Sequence, residues 1–199
     1  MIHAPELIRT ARLVLRKPVA ADADAVIRAY AHDPEVTRYL TWRPDQSPQE
    51  ISAFIDRTIA AWDRGTVFTW ALTLNTSGGL IGMIDARVDA YMVNLGYVLG
   101  RRYWNRGYAT EALQALLDWL DREEDVHRVW AVCAVANPAS ARVMEKAGME
   151  REGTLRQWMV FPNITRLEPF QLVGANTCCA LARVTRRVRV RSREFLERR

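Results

Sequence analysis

The segment that spans residues 95–113 carries the residues best suited to chemistry, because it joins a predicted strand, a turn rich in Gly and Arg, and a predicted helix. A helix start presents backbone N–H groups without partners and the positive end of the helix dipole. Gly107 lies at that start, where the lack of a side chain lets the backbone approach an anion. Arg101, Arg102 and Arg106 add positive charge. The pattern indicates a phosphate or pyrophosphate site; the alternative is a glycine-dependent turn beside a solvated face of arginines.

This turn does not fit the two common nucleotide-binding motifs. A P-loop needs Gly-Lys-Ser or Gly-Lys-Thr at the helix start, whereas this chain has Gly107-Tyr108-Ala109 there. The dinucleotide fingerprint needs three glycines at fixed spacing, which this turn lacks. The sequence therefore excludes both motifs and leaves a phosphate site of another kind.

The elements that must position this turn follow from the periodicity of the apolar residues. Strands and amphipathic helices with turn signals at their ends predict one α/β (α+β) domain without internal repeats. The capping box Ser47–Glu50, and Asn137 followed by Pro138, mark two helix starts. The predicted strands cover residues 12–16, 67–74, 80–88, 92–99, 128–135 and 149–160, and the predicted helices cover residues 22–31 (capped by Asp22 or Asp24), 48–62, 108–122 and 138–147.

Charge is distributed unevenly along the chain. The 199 residues carry a formal net charge of +5, yet residues 183–199 hold eight arginines against two glutamates, a net +6. Residues 1–182 are therefore nearly neutral, which disfavours a body that wraps nucleic acid and leaves a basic tail. A composition that is 49% hydrophobic excludes disorder. Three cysteines, no apolar leader after Met1 and no uninterrupted apolar run of membrane-spanning length predict a cytoplasmic protein without a membrane span.

Residues 103–112, which read Tyr-Trp-Asn-Arg-Gly-Tyr-Ala-Thr-Glu-Ala, resemble the acetyl-CoA motif of the GNAT superfamily of N-acetyltransferases. Residues 137–149 are similar to the Asn-x-x-Ser helix, with its glycine stop, of the branch that contains the ribosomal-protein alanine N-acetyltransferases. Shorter matches follow the family order at residues 10–16, 33–36 and 80–84. The resemblance covers roughly residues 9–160.

The chain departs from the family pattern at two places. The family turn reads Trp-Gly-x-Gly, and Asn105 replaces the first glycine; Asn tolerates the left-handed backbone better than most residues. The family's last strand carries an Arg-Asp pair and a Tyr after a Phe-Pro-Asn stretch. Here the stretch is present at residues 161–163, and a last strand is predicted at residues 177–184 without that Tyr. The arginine-rich remainder does not resemble the family and is either an appendage or an altered reading frame.

The resemblance implies a single-domain GNAT fold for residues 1–182, followed by an arginine-rich tail at residues 183–199. Its sheet is mixed and mostly antiparallel, is flanked by helices, and splays open between its fourth and fifth strands, here residues 92–99 and 128–135. The pantetheine arm of acetyl-CoA, the implied cosubstrate, lies in that opening like an added strand. The implied contacts with acetyl-CoA are Val98, Leu99, Trp104, Asn105, Arg106, Gly107, Tyr108, Ala109, Thr110, Asn137 and Ser140.

The implied reaction transfers the acetyl group directly from the thioester to a neutral amine, which needs an oxyanion donor, a base and an acid. The backbone N–H near Leu99 is the implied oxyanion donor. Ser140 is the implied proton donor for the CoA thiolate. Asp85 is the candidate base, with Asp89 and Glu152 as rivals.

Several other conspicuous residues are given supporting roles. Asn137 is expected to cap its helix and to bond the pantetheine arm. His127 lies at the far end of the fifth strand from the thioester, and Cys133 lies on a buried strand, so both are interpreted as structural. Tyr39 and Trp42 are expected to line the acceptor groove.

The predicted function is an acetyl-CoA-dependent N-acetyltransferase whose acceptor is a primary amine, by resemblance the N-terminal α-amino group of a protein or peptide. One alternative is an enzyme that acetylates an aminoglycoside, a polyamine or an amino acid. Another is a catalytically idle CoA-binding module whose arginine tail contacts nucleic acid or the ribosome. Variable loops at residues 33–47 and 153–176 would build the acceptor groove. The protein is predicted to be a monomer or homodimer with no metal and no DNA partner.

Overall fold

The computed structural model of the chain describes residues 2–156, 158–164 and 177–183. In these ranges the chain forms eight strands and five α-helices, joined by a π-helical turn at Ile27–Ala31 and a 3₁₀ turn at Arg101–Tyr103. The strands are β1 (Leu7–Arg9), β2 (Leu13–Arg16), β3 (Val67–Leu74), β4 (Leu80–Asp89), β5 (Met92–Leu99), β6 (Arg128–Ala134), β7 (Glu150–Arg156) and β8 (Thr177–Arg183). The helices are α1 (Asp22–Val26), α2 (Pro34–Thr37), α3 (Pro48–Asp63), α4 (Tyr108–Leu120) and α5 (Pro138–Lys146).

All eight strands belong to one sheet in the order β1-β2-β3-β4-β5-β6-β8-β7. The β5–β6 pair is parallel, because α4 returns the chain to the end of the sheet at which β5 begins. The other described pairs are antiparallel. The predicted mixed and mostly antiparallel sheet is therefore confirmed. The strand predicted at residues 177–184 is also present, and it inserts between β6 and β7.

The parallel pair opens before either strand ends. Its register stops at Leu95 opposite Ala131, although both strands continue beyond that point. On their outer sides the continuing residues remain paired, those of β5 with β4 and those of β6 with β8. The sheet thus splays where the sequence predicted. We call the gap between residues 96–99 and 132–134 the cleft.

Different helices cover the two faces of the sheet. On one face, α4 buries leucines such as Leu113 and Leu117 against Ile84 of β4 and Val129 of β6. On the other face, α1 and α3 pack against Ala71 and Met83, burying residues such as Val26 and Ile55. Burial of each of the Leu, Ile, Val and Met side chains among these stabilises the fold by roughly 1.5–3 kcal/mol. The cleft is thus a gap within the sheet, and the helices pack on the two faces of that sheet as separate layers.

Two of the helix starts that position functional loops are confirmed. The side chain of Ser47 accepts a hydrogen bond from the Glu50 N–H, and the Glu50 carboxylate accepts one from the Ser47 N–H. These contacts hold the pKa of Glu50 below its ordinary value. Asn137 caps α5 in the predicted manner.

The structure corrects the predicted helix at residues 22–31. The α-helical part ends at Val26 and continues as the π-helical turn, and the residue before α1 is Ala21 rather than an aspartate cap. Asp22 is the first residue of the helix, and both its carboxylate oxygens accept hydrogen bonds from Arg16, at 2.8 and 2.6 Å. That ion pair between β2 and α1 keeps the pKa of Arg16 above its ordinary value.

Two further differences concern the edge strands of the sheet. The short first strand β1 was not predicted, and β7 ends at Arg156 rather than extending to residue 160. Phe161 instead packs into a small cluster with Ala134. Residues 184–199 of the predicted tail lie outside the described residues, and the domain boundary at residue 183 stays a prediction.

Candidate active site

The turn that joins β5 to α4 presents backbone N–H groups beside the cleft. The first helical hydrogen bond of α4 runs from the Glu111 N–H to the Gly107 carbonyl, at 3.0 Å. The N–H groups of Tyr108, Ala109 and Thr110 precede it and therefore have no acceptor within the helix. Together with the helix dipole, they form the kind of site that binds phosphate groups.

Two residues with left-handed backbone conformation shape this turn. Gly107 has φ +78° and Asn105 has φ +58°. Glycine adopts this conformation without cost, and asparagine is among the few other residues that adopt it readily. The replacement of the family's first glycine by Asn105 is therefore compatible with the turn. A Cβ atom at position 107 would also lie 3.3 Å from a guanidinium nitrogen of Arg12.

A hydrogen-bond network that was not predicted from the sequence connects this turn to the segment before β2. Arg12 donates a hydrogen bond through Nη1 to the carbonyl of Arg106 at 2.8 Å, and through Nε to Glu111 at 2.6 Å. Glu111 also accepts hydrogen bonds from the Thr10 hydroxyl and the Arg12 N–H. Burial raises the pKa of Glu111, but these hydrogen bonds outweigh it and leave the pKa below its ordinary value. Thr10 and Arg12 belong to a segment that matched the family, although no role was assigned to it.

Two of the three arginines around the turn contact other groups through their side chains. Arg101 forms an ion pair with Asp33 at 3.0 Å, and Arg102 lies over the ring of Tyr103. The carbonyl of Arg106 is the group that Arg12 binds. The side chains of Arg101 and Arg102 are therefore partly committed elsewhere, and the N–H groups of the turn are the candidate anion-binding feature of this region.

Hydrogen-bond alternation decides which backbone groups of β5 face the cleft. The Gly100 N–H donates to the Ile81 carbonyl of β4 at 2.9 Å. Because the ladder of an antiparallel pair alternates, the N–H and carbonyl of Val98 also face β4. Those of Tyr97 and Leu99 face the opposite way, toward the cleft. Val98 therefore borders the cleft, but its N–H and carbonyl point toward β4 rather than into the cleft.

Leu99 is the last residue of β5, and its carbonyl and its N–H have different surroundings. Its carbonyl accepts a hydrogen bond from Nε1 of Trp104 at 2.9 Å, which ties the turn before α4 to the strand end. Its N–H faces the cleft, which is the orientation needed of an oxyanion donor. The Trp104 ring is 41% exposed, so it is an accessible surface of the turn.

The first turn of α5 brings Asn137 and Ser140 to the same side of the sheet as Tyr97. The Asn137 side chain accepts a hydrogen bond from the Ser140 N–H at 3.1 Å. The Tyr97 hydroxyl lies 2.8 Å from the Ser140 Oγ and 3.1 Å from the Ser140 carbonyl oxygen. Burial raises the pKa of Tyr97 well above its ordinary value. Tyr97 was not predicted as a site residue from the sequence. The alternation of side chains along β5, which decides the face of the sheet on which Tyr97 lies, is the signal that could have identified it.

Asp85 lies on the other face of the same strands. It is opposite Gly96 in the β4–β5 register, and a Cβ at Gly96 would lie 3.2 Å from its carboxylate. Arg87 donates to its Oδ2 at 3.0 Å. The buried Oδ1 accepts no hydrogen bond from the described residues, although Arg87 Nη1 forms an ion pair with it at 2.8 Å. Burial raises the pKa of Asp85 to about 6, against the opposing effect of Arg87.

The rival carboxylates occupy other parts of the molecule. Asp89 closes the β4–β5 hairpin opposite Met92, at the end of β5 away from the cleft. Glu152 forms an ion pair with Arg128, the first residue of β6. His127 precedes that same end, where its ring packs against Tyr91. Of the three carboxylates, Asp85 is the one whose register partner borders the cleft. Cys133 is buried in the core.

The segment at residues 158–164 holds the loop after α2. Asn163 donates two hydrogen bonds of 2.7 Å through Nδ2, to the carbonyls of Thr37 and Trp42. Phe161 is buried against Ala134, and Tyr39 packs on the same cluster. The two predicted acceptor-groove aromatics, Tyr39 and Trp42, thus lie in a loop tied to this segment, beside the β6 end that borders the cleft.

Two negative findings apply to the described part of the chain. Residues 2–156, 158–164 and 177–183 contain no group of three His, Cys, Asp or Glu side chains arranged to hold a metal ion. No helix in the same ranges is long and apolar enough to cross a membrane.

Comparisons with known proteins agree on one family. The family model described as "Acetyltransferase (GNAT) domain" matches residues 12–150. An uncharacterized N-acetyltransferase of Bacillus subtilis, YnaD, is 32% identical over 154 residues, which cover 75% of this chain and 86% of the relative. The [Ribosomal protein uS5]-alanine N-acetyltransferase of Escherichia coli is 25% identical over 162 residues, covering 77% and 82%.

Solved structures show the same fold. A GNAT-family acetyltransferase from Bacillus anthracis superimposes with a TM-score of 0.75 at 27% identity, covering 90% of this chain and 98% of that one. The family match spans the turn, the cleft and both strands that border it. This chain therefore belongs to the GNAT acetyltransferase family.

Proposed function

We propose that the protein transfers the acetyl group of acetyl-CoA, the cosubstrate of its family, to the N-terminal α-amino group of a protein or peptide. The observation that carries this proposal is the cleft itself. It joins a phosphate-binding turn and a hydroxyl pair on one face of the sheet to a buried carboxylate on the other. Donor and acceptor can therefore approach the cleft from opposite faces.

The donor would be held mainly by backbone groups. The N–H groups of Tyr108, Ala109 and Thr110, at the start of α4, would bind the pyrophosphate of CoA. The pantetheine arm would lie in the cleft and pair with the backbone of Tyr97, as an added strand does, which leaves the Leu99 N–H for the thioester. The amide of Asn137, beyond the oxygen that caps α5, would donate to the arm.

Asp85 is the proposed base. A neutral amine attacks the thioester carbonyl, so a group must take a proton from the nitrogen. The pKa of Asp85 is raised to about 6 by burial, which lets it ionise below neutral pH and still bind a proton more strongly than an ordinary aspartate. Gly96 leaves its carboxylate room above β5, toward the residues that border the cleft.

Leu99 and Ser140 are the proposed stabilising groups on the donor side. The Leu99 N–H would donate to the carbonyl oxygen as negative charge develops on it. When the carbon–sulfur bond breaks, the sulfur keeps the electron pair and takes the hydroxyl proton of Ser140. Ser140 regains a proton from solvent.

The acceptor assignment is supported by charge and by pKa matching. Asp33 and Asp85, two carboxylates on the acceptor face, are each paired with an arginine, which disfavours a polycation such as an aminoglycoside. An α-amino group has an ordinary pKa of about 7.7–8.0, far closer to that of Asp85 than the value of about 10.4 for a lysine. The relative that acetylates the alanine of ribosomal protein uS5 also supports a protein N-terminus.

The test is an acceptor panel with saturating acetyl-CoA, in which the release of CoA thiol is measured. The panel contains peptides with free N-termini, the same peptides with blocked N-termini and an internal lysine, and polyamines, aminoglycosides and free amino acids. We expect thiol release with free N-termini and none with blocked peptides. Faster release with a small amine would move the acceptor to that class, and release with no amine would contradict the proposed enzyme activity.

A further inference from the structure

The hydroxyl pair formed by Tyr97 and Ser140 spans elements that lie on either side of the cleft. Tyr97 lies on β5, and Ser140 lies on the helix that follows β6, 43 residues later. Both side chains are at least partly buried, so their hydroxyls have few alternative partners in solvent. The pair is therefore a fixed feature of the face from which the donor approaches.

The hydroxyl protons of this pair do not suffice for every contact at once. The Tyr97 hydroxyl has one proton and two acceptors within reach, the Ser140 carbonyl at 3.1 Å and the Ser140 Oγ at 2.8 Å. If Tyr97 donates to the carbonyl, the 2.8 Å contact requires Ser140 to spend its own proton on the Tyr97 oxygen. If Tyr97 donates to Oγ, the Ser140 proton is released to point elsewhere.

Changing between these two arrangements costs little. The Ser140 carbonyl lies in the first turn of α5 and has a helical acceptor role toward the residue one turn later. It therefore keeps a hydrogen bond when Tyr97 turns away. Burial holds the pKa of Tyr97 high, so its hydroxyl keeps its proton and remains a donor throughout the neutral pH range.

We propose that Tyr97 is a positioning residue that donates its hydroxyl proton to the Ser140 Oγ and thereby directs the Ser140 proton toward the departing sulfur. Tyr97 loses no proton in this step, and its hydrogen bond also stabilises the Ser140 oxygen while that proton is on the sulfur. The inference rests on the proposed role of Ser140 in the acetyl transfer. It adds a residue that acts only through Ser140.

The experiment is a double-mutant cycle with Tyr97→Phe, Ser140→Ala and the double variant, assayed by thiol release. Tyr97→Phe keeps the ring and removes the hydroxyl. We expect it to lower kcat by roughly tenfold, the factor of one ordinary hydrogen bond, with the KM for acetyl-CoA unchanged. We expect the same substitution to have no effect on kcat in the Ser140→Ala background.

Tyr91→Phe is the matched control, because Tyr91 lies at the hairpin end of β5, away from the cleft, and is 55% exposed. It should leave both kcat and KM unchanged. The melting temperature of each variant separates a folding defect from a loss of positioning. A Tyr97→Phe effect of equal size in both backgrounds, or one that falls on KM alone, would overturn the inference.

The outcomes also separate this inference from the proposed function. If Ser140→Ala lowers kcat and Tyr97→Phe does not, only the positioning role fails. If the wild-type protein releases no thiol with any amine, the proposed function fails before Tyr97 is tested. A normal kcat in Ser140→Ala overturns both the acid role of Ser140 and the positioning role that depends on it.

Discussion

The proposed donor side and the proposed acceptor side of the cleft are built in different ways. On the donor side, the turn proposed to bind phosphate and the start of α4 form one continuous stretch, residues 100–110, and offer backbone N–H groups. The acceptor side combines Asp85, the loop after α2 and the segment at residues 158–164. Asn163 and Thr37, which join two of these pieces, are 126 residues apart in the chain.

This difference explains why one side is readable in a sequence and the other is not. A backbone N–H is available from any residue that adopts the required conformation, so a short motif with Gly107 suffices to mark the donor side. The acceptor side depends on side chains that meet only after folding. The predictions below test whether the two sides can be damaged separately.

The largest effect is expected from Asp85→Asn, which removes the proposed base and leaves its shape. We expect kcat/KM to fall by about 100-fold or more, with acetyl-CoA affinity unchanged, because Asp85 lies on the acceptor face. In the wild type, activity should rise through pH 6 as Asp85 ionises, and this limb should be absent from the variant. Asp89→Asn, at the far end of the same hairpin, is the control and should keep full activity.

The same variant, Asp85→Asn, should raise the free energy of unfolding at neutral pH although it lowers activity. The folded pKa of Asp85, about 6, is above the ordinary value of 3.8. Protonation of Asp85 therefore stabilises the fold fully below pH 3.8, and this contribution is lost as the pH rises through 6. We expect the wild type to lose on the order of 2 kcal/mol relative to Asp85→Asn between pH 4 and pH 7.5. Chemical denaturation of both proteins at the two pH values measures it, and parallel pH dependences would refute it.

Gly107→Ala should damage the donor side alone. Alanine at φ +78° is strained by about 1–2 kcal/mol, and its Cβ would press on Arg12. We expect acetyl-CoA to bind roughly tenfold more weakly, a loss of about 1.4 kcal/mol, measured by calorimetry or by the thermal shift. Gly148→Ala is matched, since Gly148 has φ +93° but open space around its Cβ position. It should lose similar stability and bind acetyl-CoA normally; equal weakening in both variants would count against the turn as the phosphate site.

How far the sequence reaches can be judged residue by residue. The Ser47 box and the Asn137 cap were predictable because each depends on contacts within a few residues, and Gly107 was correctly predicted to lie at the start of a helix. The ion pair between Asp22 and Arg16 was not predictable, because it joins the first residue of α1 to a side chain on β2.

The unpredicted parts of the site share that property. Arg12 meets Glu111 across 99 residues of chain, and Tyr97 meets Ser140 across 43. Periodicity places each residue on a strand or helix face. It does not say which face of which other element that side chain will meet, because the meeting depends on register and on the order of strands in the sheet.

Arg12→Ala tests whether the donor side needs its support from outside the turn. The variant removes the bonds to the Arg106 carbonyl and to Glu111. We expect the KM for acetyl-CoA to rise by about five- to tenfold, as one or two hydrogen bonds are lost, while the KM for the amine is unchanged. Lys17→Ala is the control, because Lys17 makes comparable ion pairs with Glu6 and Asp63 away from the turn. An unchanged KM for acetyl-CoA in Arg12→Ala would show that the turn holds its shape alone.

The smallest and most discriminating effects are expected from two asparagines with the same type of contact. Asn163 binds two backbone carbonyls on the acceptor side, and Asn75 binds the carbonyls of Thr10 and Ala11 behind the donor turn. Each Asn→Ala substitution should raise one KM by about two- to fivefold. Asn163→Ala should raise it for the amine, because the loop with Trp42 is released, and Asn75→Ala should raise it for acetyl-CoA. If either variant raises both values equally, the two sides are mechanically coupled through the sheet, and the separation between a backbone-built donor site and a side-chain-built acceptor site does not hold.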